Sequence, residues 1–382
     1  MKALLFSTAY LPHIGGAELA LKEITDRSPE IEFDLITAKL KRGLPDFEKI
    51  GNVNVYRLGA GNKFFDKPLL PNLGFLKAIN LHKQKKYDLI HGFMASQGSA
   101  AAYLFKFFYP KVPFVLTLQE GDLGRNSPFD KFWQRRIIKR ADALTAISSY
   151  LAEFAKRYNK KSPIFIVPNG VDLNKFQIPK SKLQINSKFQ NPNKKIIITV
   201  SRLVRKNGVD VLIKAAKELR ITNYELRIIG EGPERKNLEK LSKNLGLQSK
   251  TRFLGSIPNE DVVGELAEAD VFVRPSRSEG LGSAFLEALA AGVPIIGTAV
   301  GGIPDFLKDP SISSGQATGL FCETENPDDL AEKIGMILKD ENLSKKLAEN
   351  GRKLVEEKYS WNKISGRVGE IYHEVINHHS RI

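Results

Sequence analysis
The sequence predicts an α/β protein of two domains, each a doubly wound parallel sheet. Three observations carry that reading. The chain has 382 residues, enough for two domains of ordinary size, each with its own core. Short apolar, β-branched runs alternate with helix-like segments along nearly all of it, the pattern of parallel strands joined by crossover helices. A polar, lysine-rich stretch without clear period separates one alternating series from a second. The expected division is a first domain over 1–172, a connection over 173–195, a second domain over 196–360, and a final helical segment over 361–382 with the option of packing back on the first domain.

In chain order, Lys2 to Ala9 reads as a buried strand, and Tyr10 to Glu18 as the loop entering a helix from about Ala17. Gly15 and Gly16 permit a close approach of backbone to ligand, but no Gly-x-Gly-x-x-Gly is present, which argues against a dinucleotide site. Strands follow at Phe33–Thr37 and Val53–Leu58, a helix at Leu73–Lys83, and a strand at Tyr87–His91. An alanine-rich helix near Ser99–Phe108, the strand Phe114–Leu118, a helix over Phe129–Arg140 and the strand Ala143–Ile147 complete the first series. Ligands of such sheets bind at the carboxyl ends of strands, where Gly15, Gly16, His91 and Gln119 to Asp122 fall. The second series has strands at Lys195–Val200, Glu225–Ile229, Thr251–Leu254, Val271–Val273 and Pro294–Val300, with helices at Val209–Leu219, Glu234–Leu245 and Asp261–Ala267. Helical segments at about Pro327–Lys339, Leu343–Lys358 and Trp361–Asn377 close the chain.

Composition bounds the setting. Hydrophobic residues at 42% and charged residues at 26% are those of a soluble globular protein. One cysteine, Cys322, excludes an internal disulfide and fits a reducing, cytoplasmic compartment. The first twelve residues loosely imitate a signal peptide, yet they run into a glycine turn as a first strand would. No apolar run reaches the length of a membrane span. The net charge is +15, and residues 1–165 hold 26 Lys and Arg against 15 Asp and Glu. That excess points to an anionic surface met by the first domain, membrane lipid or nucleic acid, with a merely solvated basic surface as the alternative. Phe132, Trp133 and Ile137 among the cations of Phe129–Arg140, with Phe105–Tyr109 upstream, fit a helix at the cytoplasmic face of a membrane. A core-packed helix with a basic outer face fits as well.

The most informative stretch is Pro275 to Pro294. A strand ends at Pro275, Glu279-Gly-Leu-Gly-Ser283 makes a glycine-bearing turn, and an almost wholly apolar helix follows, closed by Gly292 and Pro294. That helix should be buried, yet it carries Glu287, and a lone buried carboxylate is costly unless something binds it. Ser283 and Glu287 share one helical face about 6 Å apart along the axis. The free amides of Gly280, Leu281, Gly282 and Ser283 are placed to hold a phosphate, with Glu287 accepting from a ribose and Glu279 towards a sugar. The alternative is a glutamate that meets a neighbouring Arg or Lys. Arg202 and Lys206 follow the strand Lys195–Val200, where they could clamp a diphosphate, and Gly230–Pro233 and Gly301–Asp305 make turns at two further strand ends.

These residues resemble the retaining glycosyltransferases of family four. The match runs through Ser201-Arg-Leu-x-x-Lys206-x-Gly208, Gly230-x-Gly-Pro233, Pro275-Ser-x-x-Glu279-Gly-x-Gly with Glu287 eight residues on, Gly-x-Pro294 and Gly301-Gly-x-Pro304. Gly15-Gly16-Ala-Glu18, Asp88-Leu-Ile-His91 and Pro168-Asn-Gly-Val-Asp172 carry it through the first half. The resemblance implies the GT-B fold, two facing Rossmann-like domains with a cleft between them, and a hexose moved with retention from a nucleotide diphosphate sugar to a carbohydrate or lipid-linked acceptor. Arg202 and Lys206 would neutralise the diphosphate leaving group, Gly280 to Ser283 would give it amides, Glu287 would bind ribose, and Glu279 would face the donor sugar. Gly15 and Gly16 would let the phosphates approach the first domain.

No Asp-x-Asp motif is present, so neither a metal nor any other cofactor is expected, and Asp328-Asp329 after Pro327 looks like a helix start. Many relatives carry Thr-x-His-Gly-x-Asp where this chain reads Thr117-Leu-Gln119-Glu-Gly-Asp122. Gln119 can bond a hydroxyl but cannot act as a base, leaving Glu120, Asp122 or His91 as candidate acceptor contacts. Two other readings stay open: a sugar-nucleotide epimerase or hydrolase of the same fold, and a nucleic-acid-binding protein, for which no recognition motif or stacking platform is visible.

Overall fold
The computed structural model describes residues 1–13, 15–119, 128–176, 194–308 and 316–379. The chain divides into two compact units, residues 1–169 with 361–382, and residues 170–360. Most of the expected connection, residues 177–193, lies outside the described residues.

The first unit is built on eight strands: β1 (Lys2–Phe6), β2 (Glu32–Ala38), β3 (Phe47–Ile50), β4 (Val53–Leu58), β5 (Leu89–Phe93), β6 (Phe114–Leu118), β7 (Ala143–Ala146) and β8 (Ile164–Ile166). They lie in the order β3-β4-β2-β1-β5-β6-β7-β8, parallel except for the edge strand β3. Every residue of β5, β6 and β7 is buried, as strands covered on both faces by helices must be. From β1 the chain winds one way to β2 and β4, then returns through β5 to β8. Right-handed crossovers therefore set α1 (Gly16–Asp26) on one face and α2 (Lys63–Lys85), α3 (Gln97–Phe108) and α4 (Pro128–Arg140) on the other.

The final helix, Trp361–His379, belongs to this first unit. Its residues Trp361, Ile364, Val368, Ile371, Tyr372 and Val375 recur at helical spacing and enter the core formed by β1, β2, β5 and α1. Ser365 also bonds Ser28 at 2.9 Å and the carbonyl of Ile24 at 3.0 Å.

The helix expected over Leu73–Lys83 starts ten residues earlier, running through Pro68 and Pro71. The reason is a strong start. Asn62 accepts from the Phe64 N–H at 3.0 Å, and the buried Asp66 carboxylate gathers the N–H groups of Ala60, Gly61 and Asn62 at 2.9, 2.8 and 2.8 Å. That preorganised first turn offsets the two N–H bonds the prolines remove.

The second unit holds β9 (Lys195–Val200), β10 (Tyr224–Ile229), β11 (Thr251–Gly255), β12 (Val271–Arg274), β13 (Ile295–Thr298) and β14 (Gly319–Cys322). Their order is β11-β10-β9-β12-β13-β14 with every pairing parallel. The winding reverses between β9 and β12, and ligands of open α/β sheets bind at such a reversal, outside the carboxyl ends of the strands.

Candidate functional site
The loops that leave β9 and β12, residues 201–208 and 275–282, therefore meet at the reversal of the second sheet. Their backbones lock together. The Arg277 N–H bonds the Lys206 carbonyl at 2.7 Å, and the next loops join in, Leu203 N–H to Glu231 O at 2.9 Å and Gly302 N–H to Glu279 O at 3.3 Å. Two glycines permit the closure. Gly208, at φ +70°, lies where a Cβ would run into the Pro275 carbonyl, and Gly301, at φ +56°, where it would run into the Glu279 carbonyl. These glycines serve the approach of loop to loop rather than of loop to ligand.

A side chain that the sequence reading passed over pins the same junction. Arg277 forms a two-bond fork with Asp210, at 2.8 Å on each side, bonds Glu325 through Nε and through Nη2 at 2.7 Å, and donates to the Arg205 carbonyl. It thus ties the loop bearing Arg202 and Lys206 to the one bearing Glu279. Within that frame Arg202 is exposed, Lys206 half-buried on a short turn over Arg205–Asn207, and the Asn207 amide donates to the Arg202 carbonyl at 2.7 Å.

Glu279 is buried, with one carboxylate oxygen accepting the Gly280 N–H at 3.0 Å and the other paired with the Arg274 guanidinium. Arg274, the last residue of β12, is itself buried and lies over the Phe285 ring. Burial pushes its guanidinium down to about 10, against the pull of Glu287, so it stays charged at neutral pH. The helix Ser283–Ala290 then begins at Gly282 with no side-chain cap and no acid in its first turn, leaving its leading amides for an anion. The Leu281 side chain is in the core, so only its backbone faces this site.

Glu287 lies one turn along, half-buried. Burial pushes its carboxyl up to about 7, while Lys175 and Arg274 pull it down. The neighbouring-cation alternative is thus met in part, but not enough to restore an ordinary carboxylate. Its raised value means that the fold favours the protonated form: this stability is complete below the unfolded carboxylate value and is lost as pH rises through about 7. Glu287→Gln is expected to match the parent in urea unfolding at about pH 4, below the unfolded carboxylate value. At pH 8 it should exceed it by about 1–2 kcal/mol, discounted for partial exposure. Equal stability of the two proteins at pH 8 would show that this carboxylate is not strained.

The first-unit candidates fare differently. Gly15 and Gly16 are exposed at the start of α1, but the Gly15 N–H is held by the Glu18 carboxylate, the return half of a capping box. His91 is corrected: it is not a sugar contact. It is buried, its Nδ1 bonds the Tyr372 hydroxyl at 2.5 Å, and its Nε2 bonds Thr117 Oγ1 at 2.6 Å. Burial pushes it down to about 3, so it is a neutral strut between β5, β6 and the final helix. Gln119 sits just past β6, half-buried, and Glu120 and Asp122 lie outside the described residues. Among the described residues no group of three His, Cys, Asp or Glu is arranged to hold a metal.

Residues 14–175 match the family description Glycosyltransferase Family 4, and residues 181–354 match Glycosyl transferases group 1. An uncharacterized glycosyltransferase of Methanocaldococcus jannaschii is 28% identical over 374 residues, 97% of this chain and 98% of that one. A GDP-mannose-dependent α-(1-6)-phosphatidylinositol monomannoside mannosyltransferase of Mycolicibacterium smegmatis is 29% identical over 248 residues, 62% of this chain and 63% of that one. Among solved structures, Anabaena Alr3699/HepE in complex with UDP-glucose aligns with a TM-score of 0.80 at 18% identity, covering 98% of this chain and 100% of that one.

Proposed function
The chain belongs to the group 1 glycosyltransferases of family four, with the GT-B fold, and from that premise we propose that it moves a hexose, with retention and without a metal, from a nucleotide diphosphate sugar to a lipid-linked or carbohydrate acceptor. The observation that carries the donor half is the meeting of Arg202, Lys206, the uncapped helix start at Ser283 and Glu287 at the reversal of the second sheet. Arg202 and Lys206 neutralise the diphosphate, the amides of Leu281 to Ser283 bind it while the Gly280 N–H, which the sequence also offered, is taken by Glu279, and Glu287 accepts from ribose hydroxyls. Glu279, held by Arg274 and the Gly280 N–H, presents a fixed charge to the sugar.

In the reaction the bond from the anomeric carbon to the diphosphate oxygen breaks, and the acceptor oxygen bonds that carbon from the same face. The departing phosphate oxygen takes the acceptor's proton, so no protein base is required and glutamine at position 119 is compatible with turnover. The similar fold that holds UDP-glucose, and the similar mannosyltransferase named for a phosphatidylinositol mannoside, support the donor and acceptor classes.

A thermal-shift screen over UDP, GDP and ADP sugars should pick out the donor. Incubation with that donor and acceptor extract should then release the nucleoside diphosphate and give a product of retained anomeric configuration, unaffected by a chelator. Release at the same rate without acceptor would replace this reading with a hydrolase or epimerase.

A further inference from the structure
The first unit carries an apolar surface that the donor site does not use. The face of α2 turned towards the sheet is ordinary, with Leu70, Gly74, Ala78 and Leu81 buried. Its outer face should be polar, yet Phe65 is 66% exposed and Leu76 60%, with Leu69 and Leu73 on the same side. Among the described residues α2 packs on the sheet and on α3, and this outer apolar side stays exposed.

The surface continues beyond α2. Phe75 of α2 meets Phe108 of α3 with centroids 5.0 Å apart, Phe107 packs on Tyr103, and Tyr103 meets Trp133 of α4, which in turn packs on Phe132. Phe107, Phe108 and Phe132 are all exposed. Ile137, read from the sequence with Phe132 and Trp133, is instead fully buried in the core.

Charge selects the occupant. The helices α2, α3 and α4 hold eleven Lys and Arg against two Asp and no Glu, and one of those two, Asp66, is buried. On the opposite face of the sheet, α1 and the helix Trp361–His379 hold three Lys and Arg against five Asp and Glu. The excess of positive charge therefore sits on the face with the exposed rings. No helix among the described residues is long and apolar enough to cross a membrane, and α2 carries five lysines, so it would lie on a bilayer rather than span it. We infer that the α2–α3–α4 face docks on an anionic lipid bilayer, with Phe65, Leu69, Leu73 and Leu76 entering its interfacial region and Arg135 and Arg136 meeting its headgroups. This inference rests on the first unit alone and is independent of the donor assignment.

The test uses the full chain and vesicles of phosphatidylcholine with or without phosphatidylglycerol, in about 100 mM salt. The chain should co-sediment with the anionic vesicles and weakly, if at all, with the neutral ones. Phe65→Ser/Leu69→Ser/Leu73→Ser should weaken partitioning about tenfold or more while unfolding as the parent does. Arg135→Glu/Arg136→Glu should erase the preference for anionic lipid. As an independent measure, the fluorescence added by Phe65→Trp should be quenched by lipids brominated in the acyl chain. Absence of vesicle binding by the parent, undiminished binding by the folded triple variant, or an unquenched Trp at position 65 would overturn the proposal. So would a dimer that the triple variant splits while the parent ignores vesicles, since the occupant would then be a second copy of the chain.

Discussion

Glu279→Ala is expected to cost the second unit about 3–5 kcal/mol in urea unfolding, well before any loss of sugar contact is considered. Glu279 is the carboxylate partner of Arg274, and Arg274 is 8% exposed at the end of a buried strand. Removing the glutamate takes away the ion-pair partner of a buried guanidinium that burial already pushes down to about 10, leaving it only the weaker pull of Glu287. The same substitution removes the acceptor of the Gly280 N–H. An inactive Glu279→Ala protein would therefore say little about catalysis, because the loop that carries the leading amides of the helix Ser283–Ala290 would be disturbed as well.

Two further variants separate the roles. Glu279→Gln keeps an acceptor for the Gly280 N–H and loses the charge. Arg274→Met/Glu279→Leu removes both charges at once, and replacing a buried ion pair by apolar groups is commonly neutral or stabilising. The double variant should recover most of the stability lost by Glu279→Ala and remain without transferase activity. If it transfers sugar at the parental rate, Glu279 has only a structural role. If Glu279→Ala unfolds with the parent, the pair with Arg274 does not hold this loop.

Much of this is legible in the sequence. The alternation of apolar runs such as Ile196–Val200 and Phe114–Leu118 with helical segments gives parallel strands almost residue by residue, since strands covered on both faces need continuous hydrophobicity. Two short strands were not legible. Gly319–Cys322 is four residues and opens on glycine, and Phe47–Ile50 is an edge strand with half its residues exposed, so neither differs in pattern from a loop. At the site, Glu279, Glu287, Arg202 and Lys206 stand out because charge in an apolar or glycine-rich setting is anomalous in one dimension. The partners that fix them do not. Arg277 reaches Asp210 and Glu325, 67 and 48 residues away in sequence, and only the closing of the sheet brings them together. Arg274 left a trace, an arginine ending a buried strand directly before Pro275, which calls for a carboxylate nearby. His91 misled for the converse reason. A strand-end histidine looks the same whether it faces a ligand or, as here, a tyrosine of the final helix.

Removing the cations that face the diphosphate should have the largest effect on turnover. Arg202→Ala and Lys206→Ala are each expected to lower kcat about 10²–10³-fold, the usual effect of deleting one preorganised stabiliser of developing charge. For Arg202→Ala stability should change little, because Arg202 is exposed on a loop whose shape is set by backbone bonds. Charge on the diphosphate grows as the glycosidic bond breaks. The loss should thus fall mainly on kcat, whereas a cation that only attracted the donor would raise KM and leave kcat alone. Arg277→Ala provides the contrast. Arg277 is not placed to touch the donor in this reading, yet it holds the loop of Arg202 and Lys206 through Asp210, Glu325 and the Arg205 carbonyl. A displacement of about 1 Å in such a loop is enough to cost about 10²-fold. Arg277→Lys should restore only part of it, since an ammonium cannot reproduce the two-bond fork to Asp210. Combining Arg277→Ala with Lys206→Ala then tests the connection: if Arg277 acts by placing Lys206, the double variant should be little worse than Lys206→Ala. Full multiplication of the two losses would mean that Arg277 acts on the reaction by a separate route.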